Sequence, residues 1–446
     1  MKYKRIAAGV LAAAALLIAA LPPASADTPV PQAVSVDAPA EKAVLLDSRL
    51  SLREEGETHK KYLNGNDFGM FEPSKALTRA EAAQIFYILL DEPPETGGSF
   101  RDVPENAWFA QAAGSLAREG IIIGDKDGLF HPDSPFTRAE CAAAAAYFLP
   151  SGGFPFLFHD VQQDNPYYFD ICIAAANGLF SATDPLFRPD DPLTRAEAAI
   201  VFNRLLGRSP DVETITNSPK VRFFPDVPQS HWAYAHIMEA SIGHVQQPGA
   251  HTEQWTSLNE ERCPLADGFH NIGGSLYCVR EGQFVQNETV RGFWFGENGR
   301  LATGNSALGT ALAEVILTRT NENMTSGQKL RAVYNYVRDN FTYIKRKLVS
   351  KGQTGWEPAY AEAFLRDGRG NCFGYAATFC LLARELGYDA RTVVGWLGKN
   401  RQPHGWVEIE LDGTTYVYDA ELEMKYRSSN FFQARYGSTR FAYYKN

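Results

Sequence analysis

Cys372, His404 and Asp419 are the residues of this chain whose types and spacing point most directly to chemistry. The stretch "GRGNCFGYAATFCLLARELGYDARTVVG" at 368–395 reads as a Gly-rich turn, a helix and a strand, with Cys372 where the helix begins and Gly387 where it should end. A thiol at a helix N-terminus has its thiolate stabilised by the dipole, one route to a nucleophile near neutral pH. Further on, "HGWVEIELDGTTYVYDAELE" at 404–423 reads as two strands around an Asp412-Gly413 turn, His404 opening the first and Asp419 closing the second. Those ends of an antiparallel hairpin meet, which supplies a base and its orienter. The expected roles are attack on an acyl carbon by Cys372, proton transfer by His404 and positioning of the imidazole by Asp419, with the Cys372 amide helping to hold the oxyanion.

Read alone, a cysteine in a small-residue helix is an inert buried thiol. The helix start, the hairpin geometry and the scarcity of histidine, nine in the chain, favour catalysis. Cys380 lies eight residues along the same helix, about 12 Å away, too far to share a metal ion with Cys372, and is expected in the core. No metal and no organic cofactor is required.

These residues resemble the transglutaminase-like superfamily: G-x-C at Gly370 to Cys372 with Tyr375-Ala376-Ala377 following, H-x-W at His404 to Trp406, then an aspartate ending the next strand. The likeness covers 306–446 and includes "MTSGQKLRAVYNYVRDNFTY" at 324–343 as the leading helix. It implies an α+β, papain-like domain with the Cys helix packed on an antiparallel sheet. It also implies a thioester intermediate on peptide or amide substrates, with water or an amine deciding between hydrolysis and crosslinking. Trp356 and Gln353 are candidate oxyanion donors that no motif assigns. The alternative is a non-catalytic envelope protein whose papain-like domain binds peptide or glycan.

The upstream elements are repeats. "LTRAE" at 77–81 returns as "FTRAE" at 136–140 and "LTRAE" at 193–197, each opening an alanine-rich helix, with the threonines 59 and 57 residues apart. Thr followed three residues later by Glu is a capping box. Arginine at N1 sits unfavourably near the positive end of the dipole, so something beyond its own helix is expected to use it. Two uses stay open: an anion pocket with the helix amides, and a salt bridge to the acidic residue of the next unit's D-V entry. That entry, F-x-D-V, appears at Phe100, Phe158 and, after the third repeat, Phe224 in "FFPDV" at 223–227. The first repeat lacks it, so the array is expected to close on itself as a three-lobed, mostly α-helical module.

D-V, Trp108, Gly124, Gly128, Phe130, Pro132 and TRAE together resemble the S-layer homology family. The resemblance implies a noncovalent anchor to cell-wall polysaccharide, often an acidic pyruvylated one. It carries Arg79, Arg138 and Arg195 over as glycan contacts, with Asp102, Asp160, Asp226, Trp108 and Trp232 lining the grooves. In the third repeat Ser181 and Pro185 replace the loop glycines and Pro166 aligns with Trp108, so two competent grooves are expected.

The expected organisation is a multidomain one: signal peptide 1–26, linker 27–60, and repeats over 61–245 (61–95, 96–153, 154–208, closing segment 223–243). A β-hairpin segment follows at 255–305, then the α+β domain at 306–446. The hairpin segment has Tyr277, Trp294 and Phe295 as candidate sugar-stacking aromatics, and reads otherwise as a structural spacer. Lys2, Lys4, Arg5, an apolar run and Ala24-Ser25-Ala26 mark export. Cleavage there removes three positive charges and no negative ones, taking the formal charge from −9 to −12. An acidic exported chain is a poor nucleic-acid partner, and no other segment is apolar enough to span a membrane. Cys141 with Cys172, and Cys263 with Cys278, are read either as disulfides or as buried thiols.

Overall fold

Each T-R-A-E motif starts a helix through the capping box that its spacing predicts. Thr78, Thr137 and Thr194 each accept from the N3 amide while Glu81, Glu140 and Glu197 reach back to the N-cap amide. In the computed structural model residues 50–445 are described, apart from 54–55, 95–97, 151–157, 182–183, 219–222, 248–252, 260, 304–305 and 351. The expected signal peptide and the linker from 27 to 49 lie outside the described residues.

The repeat module runs β1 (Thr58–His59), α1 (Arg79–Leu89), α2 (Ala110–Arg118), α3 (Arg138–Ala146), α4 (Tyr168–Ala176), α5 (Arg195–Leu205), α6 (Val212–Asn217), α7 (Tyr234–Ser241), β2 (His244–Gln246) and β3 (Trp255–Leu258). Thr58–His59, within the expected linker, form the edge of an antiparallel sheet of order β1-β2-β3. The three capped helices meet in a ring: Leu77 N donates to Leu193 O, Phe136 N to Leu77 O and Leu193 N to Phe136 O, each at 2.8 Å. Around it, Phe71, Phe130 and Phe187 are fully or almost fully buried in one core with Ala82, Ala142 and Ala198. Each such phenylalanine contributes about 2–3 kcal/mol of burial, and the alanines let the helices approach closely.

The residue after each of those phenylalanines, Glu72, His131 or Arg188, has φ near +59°, +56° and +59°, a left-handed conformation that non-glycine residues adopt only when held. An aspartate from a D-V entry holds it. Asp102 accepts from the Phe130 and His131 amides and Asp160 from those of Phe187 and Arg188; Asp226 of the late segment accepts from Phe71 N at 2.9 Å and Glu72 N at 2.6 Å. The segment after the third repeat therefore supplies the carboxylate that the first repeat lacks.

Short strands follow: β4 (Gly268–Ile272), β5 (Ser275–Arg280), β6 (Gln283–Phe284), β7 (Glu288–Val290) and β8 (Phe293–Phe295). One face packs Tyr277, Val279 and Phe284 with Met70 of the first repeat. The other packs Leu276, Val290 and Phe295 with Ala313 and Leu317 of the next domain. Tyr277 and Phe295 are buried while Trp294 is exposed, so the first two are core side chains and not sugar platforms: their rings join the neighbouring domains.

The last domain begins with α8 (Ala307–Arg319), α9 (Ser326–Asp339), β9 (Thr342–Tyr343), α10 (Glu357–Asp367), β10 (Arg369–Gly370) and α11 (Cys372–Glu385). It continues as β11 (Ala390–Leu397), β12 (Gln402–Leu411), β13 (Thr414–Tyr418), α12 (Ala420–Lys425), β14 (Ala434–Arg435) and β15 (Tyr443–Lys445). The sheet is antiparallel, in the order β14-β13-β12-β11-β15. Tyr375, Phe379 and Cys380 of α11 share a core with Val333, Tyr334 and Val337 of α9 and with Val407 and Ile409 of β12. Among the described residues no helix is long and apolar enough to cross a membrane.

Candidate functional site

Cys372 is the first residue of α11, and Asn371 caps that helix with its side-chain oxygen, 3.4 Å from Gly374 N. The glycines around it serve close packing: a Cβ on Gly374 would stand 2.6 Å from the Phe364 ring. Across the sheet, β12 and β13 join at Asp412 (φ 50°) and Gly413 (φ 70°) and pair from Leu411↔Thr414 to Val407↔Tyr418. Asp419 leaves the sheet directly after Tyr418 and becomes the N-cap of α12, its Oδ1 accepting from Leu422 N at 3.0 Å. Gly405, beside His404, would put a Cβ 2.7 Å from the Phe373 ring; the absence of a side chain there lets the start of α11 reach the histidine strand.

The three side chains named from sequence come together. His404 Nε2 lies 2.6 Å from Asp419 Oδ2, and the Cys372 sulfur is near enough to the same imidazole to help hold its proton, with Nδ1 the nitrogen that Asp419 leaves open. All three are nearly enclosed, at 3%, 5% and 3% exposure for Cys372, His404 and Asp419. Burial alone pushes the imidazole pKa down. The Asp419 carboxylate, by charge and hydrogen bond, and then the Cys372 sulfur, outweigh that and hold it well above the ordinary value. Val349, Trp356 and Phe373 surround the thiol in a small apolar cluster. Trp356 is thus a wall of the site, and Gln353 lies in the loop that precedes it, where its side chain accepts from Ser350 N.

Two neighbours were not singled out from sequence. Tyr443 of β15 donates its hydroxyl to Asp419 Oδ2 at 2.9 Å, a contact with no sequence signal because it crosses the sheet from its far edge. Glu421 is buried, and its pKa is pushed up to about 7 by that burial and by the Asp419 charge. Its signal was present, a second acid two residues after the first in "DAELE". His404, Asp419 and Glu421 offer ligand atoms within 4.8 Å of one another, but His404 Nε2 is already committed to Asp419, so a metal there would displace that bond. A cavity of about 320 Å³ lined by Arg346, Tyr360 and Asn371 lies beside the helix start without including Cys372.

The arginines of the repeats are engaged within the ring. Arg79 pairs with Glu140, Arg138 with Glu197 at 2.7 Å and Arg195 with Glu81 at 3.9 Å. Each Nε donates to a carbonyl, of Phe130, Phe187 and Phe71 respectively. The salt-bridge partner is the capping-box glutamate of the adjacent helix, not the D-V aspartate. The amides required for an anion pocket are spent as well: Arg79 N and Ala80 N donate to Ser134 O and Pro132 O, and the same bonds recur at Arg138, Ala139, Arg195 and Ala196. The helix N-termini are therefore closed to an anion, because the neighbouring loop already occupies them.

Asp102, Asp160 and Asp226 likewise spend both carboxylate oxygens on backbone amides. Trp108 and Trp232 stand out at 63% and 66% exposure. Trp232 lines a groove of about 270 Å³ with Arg138, Arg188 and His231.

Residues 58–83, 99–142 and 157–199 match the S-layer homology domain, and residues 311–419 match the transglutaminase-like superfamily. The chain thus carries three S-layer homology repeats followed by a transglutaminase-like domain. It is 31% identical to Cell surface glycoprotein 1 of Acetivibrio thermocellus over 46% of this chain and 9% of that one. It is also 31% identical to the Cellulosome-anchoring protein of the same organism, over 42% of this chain and 43% of that one. The matches therefore span less than half the length of these curated relatives. A solved structure described as a TGase is 20% identical over 25% of this chain and 30% of that one, with a TM-score of 0.19, a likeness too slight to bear on the reaction.

Proposed function

We propose that this cell-wall-associated surface protein is a tethered cysteine enzyme whose last domain performs acyl transfer or hydrolysis on peptide or amide bonds. The observation that carries the reading is the buried grouping of Cys372, His404 and Asp419, with the histidine–aspartate link at 2.6 Å and the cysteine at the helix start beside it. In the proposed cycle the Cys372 proton passes to His404 Nδ1 as Sγ bonds to the carbonyl carbon. The oxyanion is met by the Cys372 amide at the start of α11. The C–N bond then breaks, the departing amine takes the proton back from His404, and a thioester remains. Water or a second amine, deprotonated by His404, attacks that thioester and restores the thiol. Asp419 and the Tyr443 hydroxyl keep the imidazole oriented.

For the tether, the three repeats and the groove at Arg138 and Trp232 support binding to a cell-wall polysaccharide. A guanidinium beside an exposed indole suits an acidic sugar, pyruvylated ones included. Arg79 and Arg195 act in this reading by holding the ring closed, and Arg138 is the arginine placed to touch glycan.

The enclosure of Cys372 under Val349 and Trp356 favours a second reading, a binding domain without turnover. The alkylation rate of Cys372 against pH, resolved by peptide mass spectrometry in wild type and His404→Ala, separates the two. A thiol reactive well below the ordinary value of about 8.5, with that reactivity lost in the variant, is the expected result. Identical titration of both proteins near that value, or no reaction at all, would leave only the binding reading.

A further inference from the structure

A second buried cluster of titratable side chains lies far from the cysteine, where β1 and β2 meet α7. His59, Glu239, His244 and Glu253 are between 0% and 6% exposed, and their ligand-type atoms all lie within 4.8 Å of one another. They arrive from four places in the chain. His59 and His244 are paired across β1 and β2, Glu239 is on α7, and Glu253 bridges to the end of the third repeat at Pro210.

The hydrogen bonding around them is incomplete in one direction. His244 Nδ1 donates to Ile242 O at 2.9 Å, so a neutral ring there presents the Nε2 lone pair. That Nε2 faces Glu239 Oε2 at 3.2 Å and has no hydrogen-bond partner. Glu253 Oε1 accepts from Ser209 N at 2.7 Å, while its Oε2 is also buried without a partner, 3.7 Å from His59 Nδ1. His59 Nδ1 is in turn 2.8 Å from Glu239 Oε1. His244 Nε2 and Glu253 Oε2 are thus two buried atoms without partners beside the Glu239 carboxylate, and Arg208, 3.4 Å from Glu239 Oε1, brings a single positive charge to two carboxylates. A shared cation, whether a metal ion or a proton, satisfies buried acceptors arranged this way.

We propose that His59, His244, Glu239 and Glu253 form a structural site for one zinc-class divalent transition-metal ion. A tetrahedral ion at about 2.0–2.1 Å from its ligands keeps them about 3.3–3.4 Å apart, and the distances here, 2.8, 3.2 and 3.7 Å, bracket that value. Two imidazoles with two carboxylates are a zinc-type set, and too poor in oxygen for calcium or magnesium. The outer bonds are those a bound ion needs. His244 is fixed by a backbone carbonyl, Glu253 by the Ser209 amide and Glu239 by the Trp255 indole N–H at 3.2 Å. All four ligands come from protein and all are buried, so the ion has a structural role: it ties β1 to α7 and to the residues that follow the third repeat.

The test uses the full chain, stripped with a chelator and dialysed against Zn²⁺, with bound metal counted by elemental analysis and tetrahedral geometry read from the visible bands of the Co²⁺ form. One ion per chain is expected, with a higher melting temperature than the stripped protein. Glu253→Gln, nearly isosteric, and His244→Gln should each weaken uptake about 10–100-fold, with folding checked by near-UV circular dichroism. His404→Ala should leave uptake unchanged, which separates this ion from the trio around His404. No stoichiometric Zn²⁺ in the folded wild type, or equal uptake in folded Glu253→Gln, would overturn the proposal and assign the cluster to protons alone.

Discussion

Glu421 is the side chain through which the candidate active site should reveal itself in stability. Its folded pKa of about 7 stands above its ordinary 4.5, so the folded chain holds this proton more tightly than the unfolded one. That preference stabilises the fold fully below the unfolded value and is lost as pH rises through the folded one. Glu421→Gln should therefore change little at about pH 4 and stabilise the domain by about 2–3 kcal/mol at about pH 8, read by urea unfolding at both pH values. His404 has the same sign, since its protonated form is also favoured in the folded state, here by Asp419. Its contribution is likewise fully present below its unfolded value and lost as pH rises through its raised one. The Cys-His-Asp trio was legible because each member sits at an element end that the sequence marks. Tyr443 was not, because a strand twenty-four residues after Asp419 returns to it only through sheet order.

For the repeat helices, the capping boxes and the arginines separate cleanly. Thr137→Ala removes one cap bond and should cost about 1 kcal/mol. Arg79→Ala breaks a mostly buried pair with Glu140 together with bonds to the Phe130 and Ile123 carbonyls, and should cost about 3–5 kcal/mol. Thermal and urea unfolding of the two variants checks the ratio; equal costs would mean that the ion-pair ring contributes nothing. The capping boxes could be read locally, as Thr and Glu at fixed spacing. The use of arginine at N1 could not, because its partner belongs to the next helix and because the loop carbonyls that occupy the helix amides come from another repeat.

In the whole molecule, the ring of repeats, the hairpin segment and the last domain share cores at their boundaries: Met70 packs under the hairpins and Leu317 against their other face. Exposed aromatic side chains are the part of the repeat module that can change without loss of fold. Trp232→Ala should leave unfolding within about 0.5 kcal/mol of wild type while reducing sedimentation with purified cell-wall polysaccharide. Unchanged sedimentation would remove the Arg138–Trp232 groove from the anchoring reading.

Sequence by itself determined the features that are local in the chain: three capped helices at a regular period, a cysteine at a helix start, and a hairpin whose Asp-Gly turn fixes its register. Each rests on interactions among residues a few positions apart, or across one tight turn. Tertiary structure alone decided what the charged side chains are for. It closed the helix N-termini with loop carbonyls, turned the D-V aspartates into clamps on strained backbone, and buried Tyr277 and Phe295. It also gathered His59, Glu239, His244 and Glu253 from positions up to 194 residues apart. A buried polar group's role depends on which acceptors and donors surround it once water is gone, and that company is set by packing between distant segments.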